Sequence, residues 1–374
     1  MIYLDHAATS FPKPPEVLAA VSHWYTAVGV SPSRGDSALC RAASTIVERA
    51  RAGVARLCGV ARERVLFSSG ATESANLFLH GFLRDGDAVV ATAAEHSALA
   101  RPLRALANQG RIDLFVVPVD PLGRVDEESL AATLGARKPR LLALNHASNV
   151  TGAVQDATRW CAAARAVGCT TLVDASQTAG VLPLTAVGAD ALVASAHKSL
   201  LGPPGVGFLA LAPDVPLRPV KLGGTGSSKA LDLQPDSWPE AHEAGTPNMP
   251  GLAGLAAALD WLDAQAPGHH HAHALELIDD LRARLEARLG DAVRWCSPSE
   301  GPRLGVLSFT LADLDPAEAG IVLDAADVHV RTGFHCAPWI HAYLDTASTG
   351  TIRVSPGPFV TEVDIRQVAK VLAP

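Results

Sequence analysis

One stretch, Ala191 to Gly207, reading ALVASAHKSLLGPPGVG, constrains this chain more than any other. It opens as a short apolar strand, Ala191 to Ala194, and delivers Ser195, His197 and Lys198 at the strand's end. A turn rich in glycine and proline follows, Gly202 to Gly207, and a second apolar run, Val206 to Ala212, leads away. A lysine is ordinarily a solvated surface charge. At a strand terminus, among small residues and ahead of such a turn, it is held by rigid backbone. In the run Thr170 to Gln177, TTLVDASQ, another apolar strand ends on an acid, Asp174. A lysine and an acid at the ends of neighbouring strands suit pyridoxal phosphate. The lysine attaches the cofactor covalently, and the acid keeps the pyridine nitrogen protonated so that the ring accepts electrons.

Composition sets outer bounds. A chain of 374 residues exceeds one typical core, so two subdomains are expected. Apolar residues at 48% and charged residues at 18% describe a folded, soluble chain and not a disordered one. A net charge of −7 carries no electrostatic footprint for nucleic acid. No apolar run approaches the ~20 residues that span a bilayer, so no membrane role is expected. The opening MIYLDHAATS has neither a basic nor an apolar leader region, and secretion is not expected. Cys40, Cys58, Cys161, Cys169, Cys296 and Cys336 form no C-x-x-C pair. A disulfide framework does not suit a chain of this size, and reduced cysteines in a cytoplasm are the expectation.

Read in order, Tyr3 to Ser10 is a short extended lead-in closed by Pro12 to Pro15, and helical spacing follows over Glu16 to Thr26. A loop at Gly29 to Asp36 precedes a longer helix from Ala38 to Leu57. Strand candidates are then Val65–Ser68, Ala88–Thr92, Leu114–Val117, Leu141–Asn145, Thr170–Asp174, Ala191–Ala194 and Val206–Leu211. The helices between them include Ala98–Asn108, Glu127–Leu134 and Ala157–Val167. Continuous apolar strands separated by helices predict an α/β fold with a mostly parallel sheet covered on both faces. Ligands in such sheets sit at the carboxyl ends of the strands, where Gly70, Asn149, Asp174 and Lys198 fall. Lys221 to Pro250 is loop-like, a helix follows over Leu252 to Ala264, and an amphipathic helix runs from Ala274 to Leu289. His269, His270, His271 and His273 read as a solvated helix end with no assigned role and no metal. Strands at Val306–Thr310 and Val328–Arg331 flank a helix at Pro316–Ala326, which makes the C-terminal part a smaller α+β unit. The expected division is 15–250 for the large domain and 251–374, joined by 1–14, for the small one.

The chain resembles the cysteine desulfurases of the class V aminotransferase family, in the branch that also holds selenocysteine lyases. The resemblance is carried by YLDHAAT at 3–9, SSGATESAN at 68–76, EHSA at 95–98, NHASNVTGAVQD at 145–156, VDASQTAG at 173–180, SAHKSLLGPPGVG at 195–207, EAGTPN at 243–248 and RTGFHCAP at 331–338. These run in order across nearly the whole chain. The resemblance implies fold type I of the pyridoxal-phosphate enzymes. It implies that Ala71 and Thr72, at a helix start that favours phosphate, hold the cofactor phosphate with Ser195 and His197. Thr246 would be donated by a partner subunit, which implies a homodimer. His96 would stack on the pyridine face, Asn149 and Gln177 would reach the phenolic oxygen, Asp174 would pair with the pyridinium, and Lys198 would carry the cofactor and move the substrate α-proton.

Cys336 lies in RTGFHCAP, where Gly333, His335 and Pro338 mark a turn and not a core strand. Its place matches the family's persulfide-forming cysteine, whose thiolate attacks the sulfur of L-cysteine and leaves alanine. Arg353, in TIRVS, matches the arginine that clamps the substrate carboxylate, beside Asn149. The short approach to Cys336 resembles the subgroup that passes sulfur to a dedicated acceptor protein. Two departures stand out. Arg34-Gly35-Asp36-Ser37 lacks a histidine that many relatives carry after an Arg-Gly pair, and the stretch from Cys336 to Arg353, ending DTASTGT, is slightly longer. A selenocysteine lyase, another C–S lyase or an epimerase would share the fold, because a fold does not choose a reaction. A non-catalytic scaffold for sulfur transfer would not need Asp174, Lys198, His96 and Arg353 together.

Overall fold

The computed structural model describes residues 1–32, 35, 37–225 and 232–372. Arg34 and Asp36 of the divergent loop therefore lie outside the described residues. The chain begins with β1 (Ile2–Tyr3) and α1 (Pro15–His23), which relaxes into a π turn at Trp24–Val28. There follow α2 (Ala38–Cys58), β2 (Val65–Ser68), α3 (Ala71–Phe82), β3 (Asp87–Thr92), α4 (Ser97–Asn108), β4 (Ile112–Val117), α5 (Glu127–Arg137), β5 (Leu141–Asn145) and α6 (Ala157–Ala166). After them come β6 (Thr170–Asp174), β7 (Ala191–Ser195) and β8 (Gly207–Leu211). These strands form one sheet in the order β2-β8-β7-β6-β5-β3-β4. Pairing is parallel from β7 to β4, and β8 is antiparallel to both β2 and β7.

The period-two alternation of the strands explains the layers. In β7, Ala191 and Val193 face one apolar core and Leu192 and Ala194 face the other; β5 divides Leu141 and Ala143 from Leu142 and Leu144 in the same way. Phe78 and Phe82 of α3 and Leu99 and Leu103 of α4 cover the first face. Residues of α2, α5 and α6 cover the second. Fully burying a leucine or phenylalanine contributes about 1.5–3 kcal/mol, so the doubly covered sheet is the rigid body on which the strand ends are displayed.

The C-terminal part comprises α7 (Met249–Asp263), α8 (His269–Leu289), β9 (Val293–Trp295), β10 (Leu307–Leu311), α9 (Pro316–Ala325), β11 (Val328–His329), β12 (Arg331–Gly333), β13 (Thr351–Val354) and α10 (Glu362–Leu372). A four-stranded antiparallel sheet, β12-β13-β10-β9, packs with α8, α9 and α10 around Leu281, Phe309, Leu323, Ile352 and Val368. Strand β1 joins this unit by parallel pairing with β11.

Two expectations are corrected. The run Val328–Arg331 is two strands, because β11 pairs with β1 while β12 pairs with β13 in a separate sheet. Helix α7 packs Met249, Leu252, Leu255 and Leu259 into the same core as α2. The histidine cluster forms the first turns of α8 and is partly docked: His269 is exposed, but His270 stacks on Trp261 with ring centroids 5.0 Å apart, and His273 Nε2 lies 2.8 Å from the Val360 carbonyl oxygen. Among the described residues no group of three His, Cys, Asp or Glu is arranged to hold a metal ion, and no helix is long and apolar enough to cross a membrane.

Candidate active site

The carboxyl ends of β5, β6 and β7 and the starts of α3 and α4 open onto one cleft, closed on the far side by β12, β13 and the Cys336 turn. Ala71, Thr72, His96, Asn149, Asp174, Ser195, His197, Lys198, Cys336 and Arg353 all line it. Ala7, Ala8, Ser176, Arg331 and His335 line it as well. These five lie inside YLDHAAT, VDASQTAG and RTGFHCAP, and a sixth, Ala98, lies inside EHSA, so the signal that would have found them was the motif itself.

Helix α3 begins at Gly70, whose backbone offers no side-chain cap; the Ser195 hydroxyl instead accepts from the Ala71 N–H at 2.8 Å. The approach is possible because residue 207 is glycine. A Cβ there would stand 2.5 Å from the Gly70 Cα. Seven residues after β7 begins, Lys198 is turned into the cleft, and burial lowers its pKa while Asp174 acts to raise it. Asp174 is itself held by the Ser176 N–H, 2.9 Å from Oδ1. His96 caps α4: its Nδ1 accepts from the Ala98 N–H at 3.1 Å, which leaves the proton of the neutral ring on Nε2. Burial, followed by the nearby Lys198 charge, pushes the His96 pKa down to about 4. His197 Nδ1 shares a hydrogen bond of 3.0 Å with Thr9 Oγ1. Its carbonyl oxygen accepts from the Ser10 N–H at 2.7 Å and from Lys13 Nζ at 3.2 Å, which pins the lysine-bearing turn to the N-terminal segment.

The opposite wall is strained and clamped. His335 and Cys336 both adopt left-handed backbone, with φ of +50° and +58°, a conformation costly for residues with a Cβ and frequent at functional sites. Two hydrogen bonds fasten this turn to the segments after β5 and β3: Asn149 Nδ2 donates to the His335 carbonyl at 2.7 Å, and the Ser97 N–H donates to the Cys336 carbonyl at 2.7 Å. The Cys336 side chain stays exposed, with its Sγ 3.7 Å from Arg331 Nη2. Arg353 is 1% exposed, and its Nη2 pairs with Asp5 while Nη1 donates to the Asn149 carbonyl at 2.9 Å. Burial lowers its pKa and Asp5 acts against that shift.

Several buried polar atoms here have no partner among the described residues: Asn149 Oδ1, Ser176 Oγ, His335 Nδ1 and Arg353 Nε. A cleft that leaves such atoms unpaired is arranged for a polar ligand. Its set of groups fits pyridoxal phosphate: an amine at one strand end, a carboxylate at the next, an imidazole cap, and a helix start whose N-cap is a glycine with no side chain.

Two expected residues are not in the cleft lining. Gln177 donates through Nε2 to the Ala7 carbonyl at 2.8 Å and faces a separate cavity beside His6 and Leu262. Thr246 lies with Phe67, Glu243 and Gly245 in a surface depression outside the cleft.

Residues 2–368 match the family model described as Aminotransferase class-V, and the chain belongs to that family. A probable cysteine desulfurase from Methanothermobacter thermautotrophicus is 31% identical over 383 residues, which span 99% of this chain and 94% of that protein. The apo structure of a cysteine desulfurase from Thermococcus onnurineus superposes with a TM-score of 0.91 at 28% identity, covering 100% of this chain and 94% of the other. A cysteine desulfurase from Escherichia coli in its S-sulfonic acid form gives 0.88 at 28% identity, with 99% and 93% covered.

Proposed function

We propose that this protein is a pyridoxal-phosphate-dependent cysteine desulfurase that converts L-cysteine to L-alanine and keeps the sulfur on Cys336. The observation that carries the reading is the meeting of Lys198, Arg353 and an exposed Cys336 thiol in one cleft. When bound, the cofactor supplies an electron sink for the substrate's carbon skeleton. In this reading the α3 amides at Ala71 and Thr72, with Ser195 and His197, bind its phosphate. Asp174 holds the proton on the ring nitrogen, His96 covers the ring face and Asn149 meets the ring oxygen.

Arg353 binds the substrate carboxylate through the edge that carries its unpaired Nε. Lys198, its pKa lowered by burial, is more readily the free amine that takes the α-proton. The Cys336 thiolate attacks the substrate sulfur. An S–S bond forms, the C–S bond breaks with its electron pair going to carbon, and that carbon takes up a proton. The net change is L-cysteine plus Cys336–SH to L-alanine plus Cys336–S–SH, with atoms and electrons in balance. Arg331, beside the sulfur, faces the charge of the thiolate.

A persulfide on an exposed side chain suits delivery to a sulfur-acceptor protein, and a reactive free thiol suits the reducing cytoplasm. Thr246, outside its own cleft, is assigned to the phosphate site of a second copy, which makes the active species a homodimer. Sedimentation at working concentration should show a dimer; a fully active monomer would remove this assignment. The reading as a whole is tested by incubating the holoenzyme with L-cysteine and a reductant. Alanine should form, and peptide mass spectrometry should find one added sulfur on the peptide bearing Cys336. Pyruvate in place of alanine would point instead to a simple C–S lyase, and sulfur on Cys40, Cys58, Cys161, Cys169 or Cys296 would remove Cys336 from the sulfur-transfer step.

A further inference from the structure

We propose that Glu95 is a positioning residue that works as an uncharged acid, clasping the ends of β3 and β5 so that His96 and Asp174 keep their places in the cleft. Glu95 is 0% exposed on the turn between β3 and α4, one residue ahead of His96. The β3–β5 ladder ends at the Ala91–Ala143 pair. Beyond that rung the pairing is continued by side chains. Glu95 Oε1 accepts from Thr92 Oγ1 at 2.6 Å and from the Asn145 N–H at 3.0 Å, and Asn145 Nδ2 donates to the Ala94 carbonyl at 2.8 Å. Asn145 is in turn the register partner of Asp174 in β6, so the clasp runs from the turn that carries His96 to the strand that ends in Asp174.

None of the hydrogen bonds to Glu95 comes from a cation. The charged group that acts on it is Asp174, which is negative; the remaining partners, Thr92 and Asn145, are uncharged. Burial first, and Asp174 with it, push the carboxyl up to about 8 against the two hydrogen bonds. Glu95 Oε2 and Asn145 Oδ1 are both buried without a partner among the described residues, one able to donate when protonated and the other able only to accept. An ionised Glu95 would set a second negative charge near Asp174 and a solvent-starved anion under His96.

The test has two arms, and only the second rests on the desulfurase reading. In the first, urea unfolding of the full-length protein is followed from pH 5 to pH 9 for the unsubstituted chain and for Glu95→Gln, which copies the neutral acid. A buried acid with a raised pKa costs stability as pH climbs from its unfolded value toward its folded one. The ratio of folding constants, Gln over Glu, should therefore grow about tenfold per pH unit, reaching about a hundredfold between pH 5.5 and pH 7.5. A ratio that is flat with pH would mean that Glu95 is ionised in the fold, and would overturn the proposal. In the second arm, Glu95→Gln should keep kcat with L-cysteine within about threefold, while Glu95→Ala lowers kcat at least tenfold and leaves KM nearly unchanged. A Gln variant as impaired as the Ala variant would also overturn it. If the unsubstituted holoenzyme releases no alanine, the functional reading fails, and the stability arm still decides the protonation of Glu95.

Discussion

Cys336 and Arg353 divide the chemistry of the cleft between a reacting sulfur and a binding charge. Cys336→Ser should still bind cofactor and substrate, because neither contact uses the thiol. Alanine release should fall at least a hundredfold, since a hydroxyl is scarcely ionised near neutral pH while an ordinary thiol, pKa about 8.5, is already a few per cent thiolate; steady-state alanine assays read this directly. Arg353 carries Asp5, the Asn149 carbonyl and, in our reading, the substrate carboxylate on one planar fork. Arg353→Lys keeps the charge but has no such fork. KM for L-cysteine should rise at least tenfold with a smaller change in kcat, and an unchanged KM would remove the clamp from Arg353.

At the scale of elements, the cleft depends on how closely β8 and the start of α3 approach. A methyl group at residue 207 would meet Gly70 Cα at 2.5 Å, Gly70 C at 2.6 Å and the Ala194 carbonyl oxygen at 2.8 Å, all of them backbone atoms. Gly207→Ala should therefore cost about 1–3 kcal/mol or more in denaturant unfolding, and should weaken cofactor binding, read by titration, because α3 can yield only by moving Ala71 and Thr72. A variant with unchanged stability and affinity would show that α3 is not held by this contact. The strands themselves were legible as patterns: β2, β5 and β6 lie where their apolar runs put them, with Asp174 closing the last. The division of residues 328–333 between β11 and β12 was not, because both halves are extended and only their pairing partners, β1 and β13, separate them.

The whole molecule carries an unusual load of buried neutral imidazole. Burial lowers the pKa of His6 to about 3 and of His96, His146, His197 and His242 to about 4, against about 6.5 when unfolded. A base with a lowered folded pKa contributes stability that is present above its unfolded value and is lost as pH falls toward its folded one. Glu95, raised to about 8, pulls the other way by one proton over the same range. Unfolding near pH 5.5 should then take up about three to four protons at these groups, and the melting temperature should fall steeply from pH 6.5 to pH 4.5. Calorimetry in buffers of different ionisation enthalpy measures the uptake; a value near zero would mean that these histidines are solvated or charged in the fold.

By itself, the sequence determined the doubly covered sheet, the lysine and acid at adjacent strand ends, and the motif that carries Cys336. Each is written in local periodicity or in a short run of neighbours, and local chemistry suffices to read it. Only the tertiary structure decided that Asp5 pairs with Arg353, 348 residues away. It likewise decided that Gln177 is spent on the Ala7 carbonyl, and that α7 belongs to the large core. The left-handed backbone at His335 and Cys336 had no glycine to announce it. It is held by hydrogen bonds from Asn149 and Ser97, donors on segments far away in the sequence that only the folded chain brings to the turn.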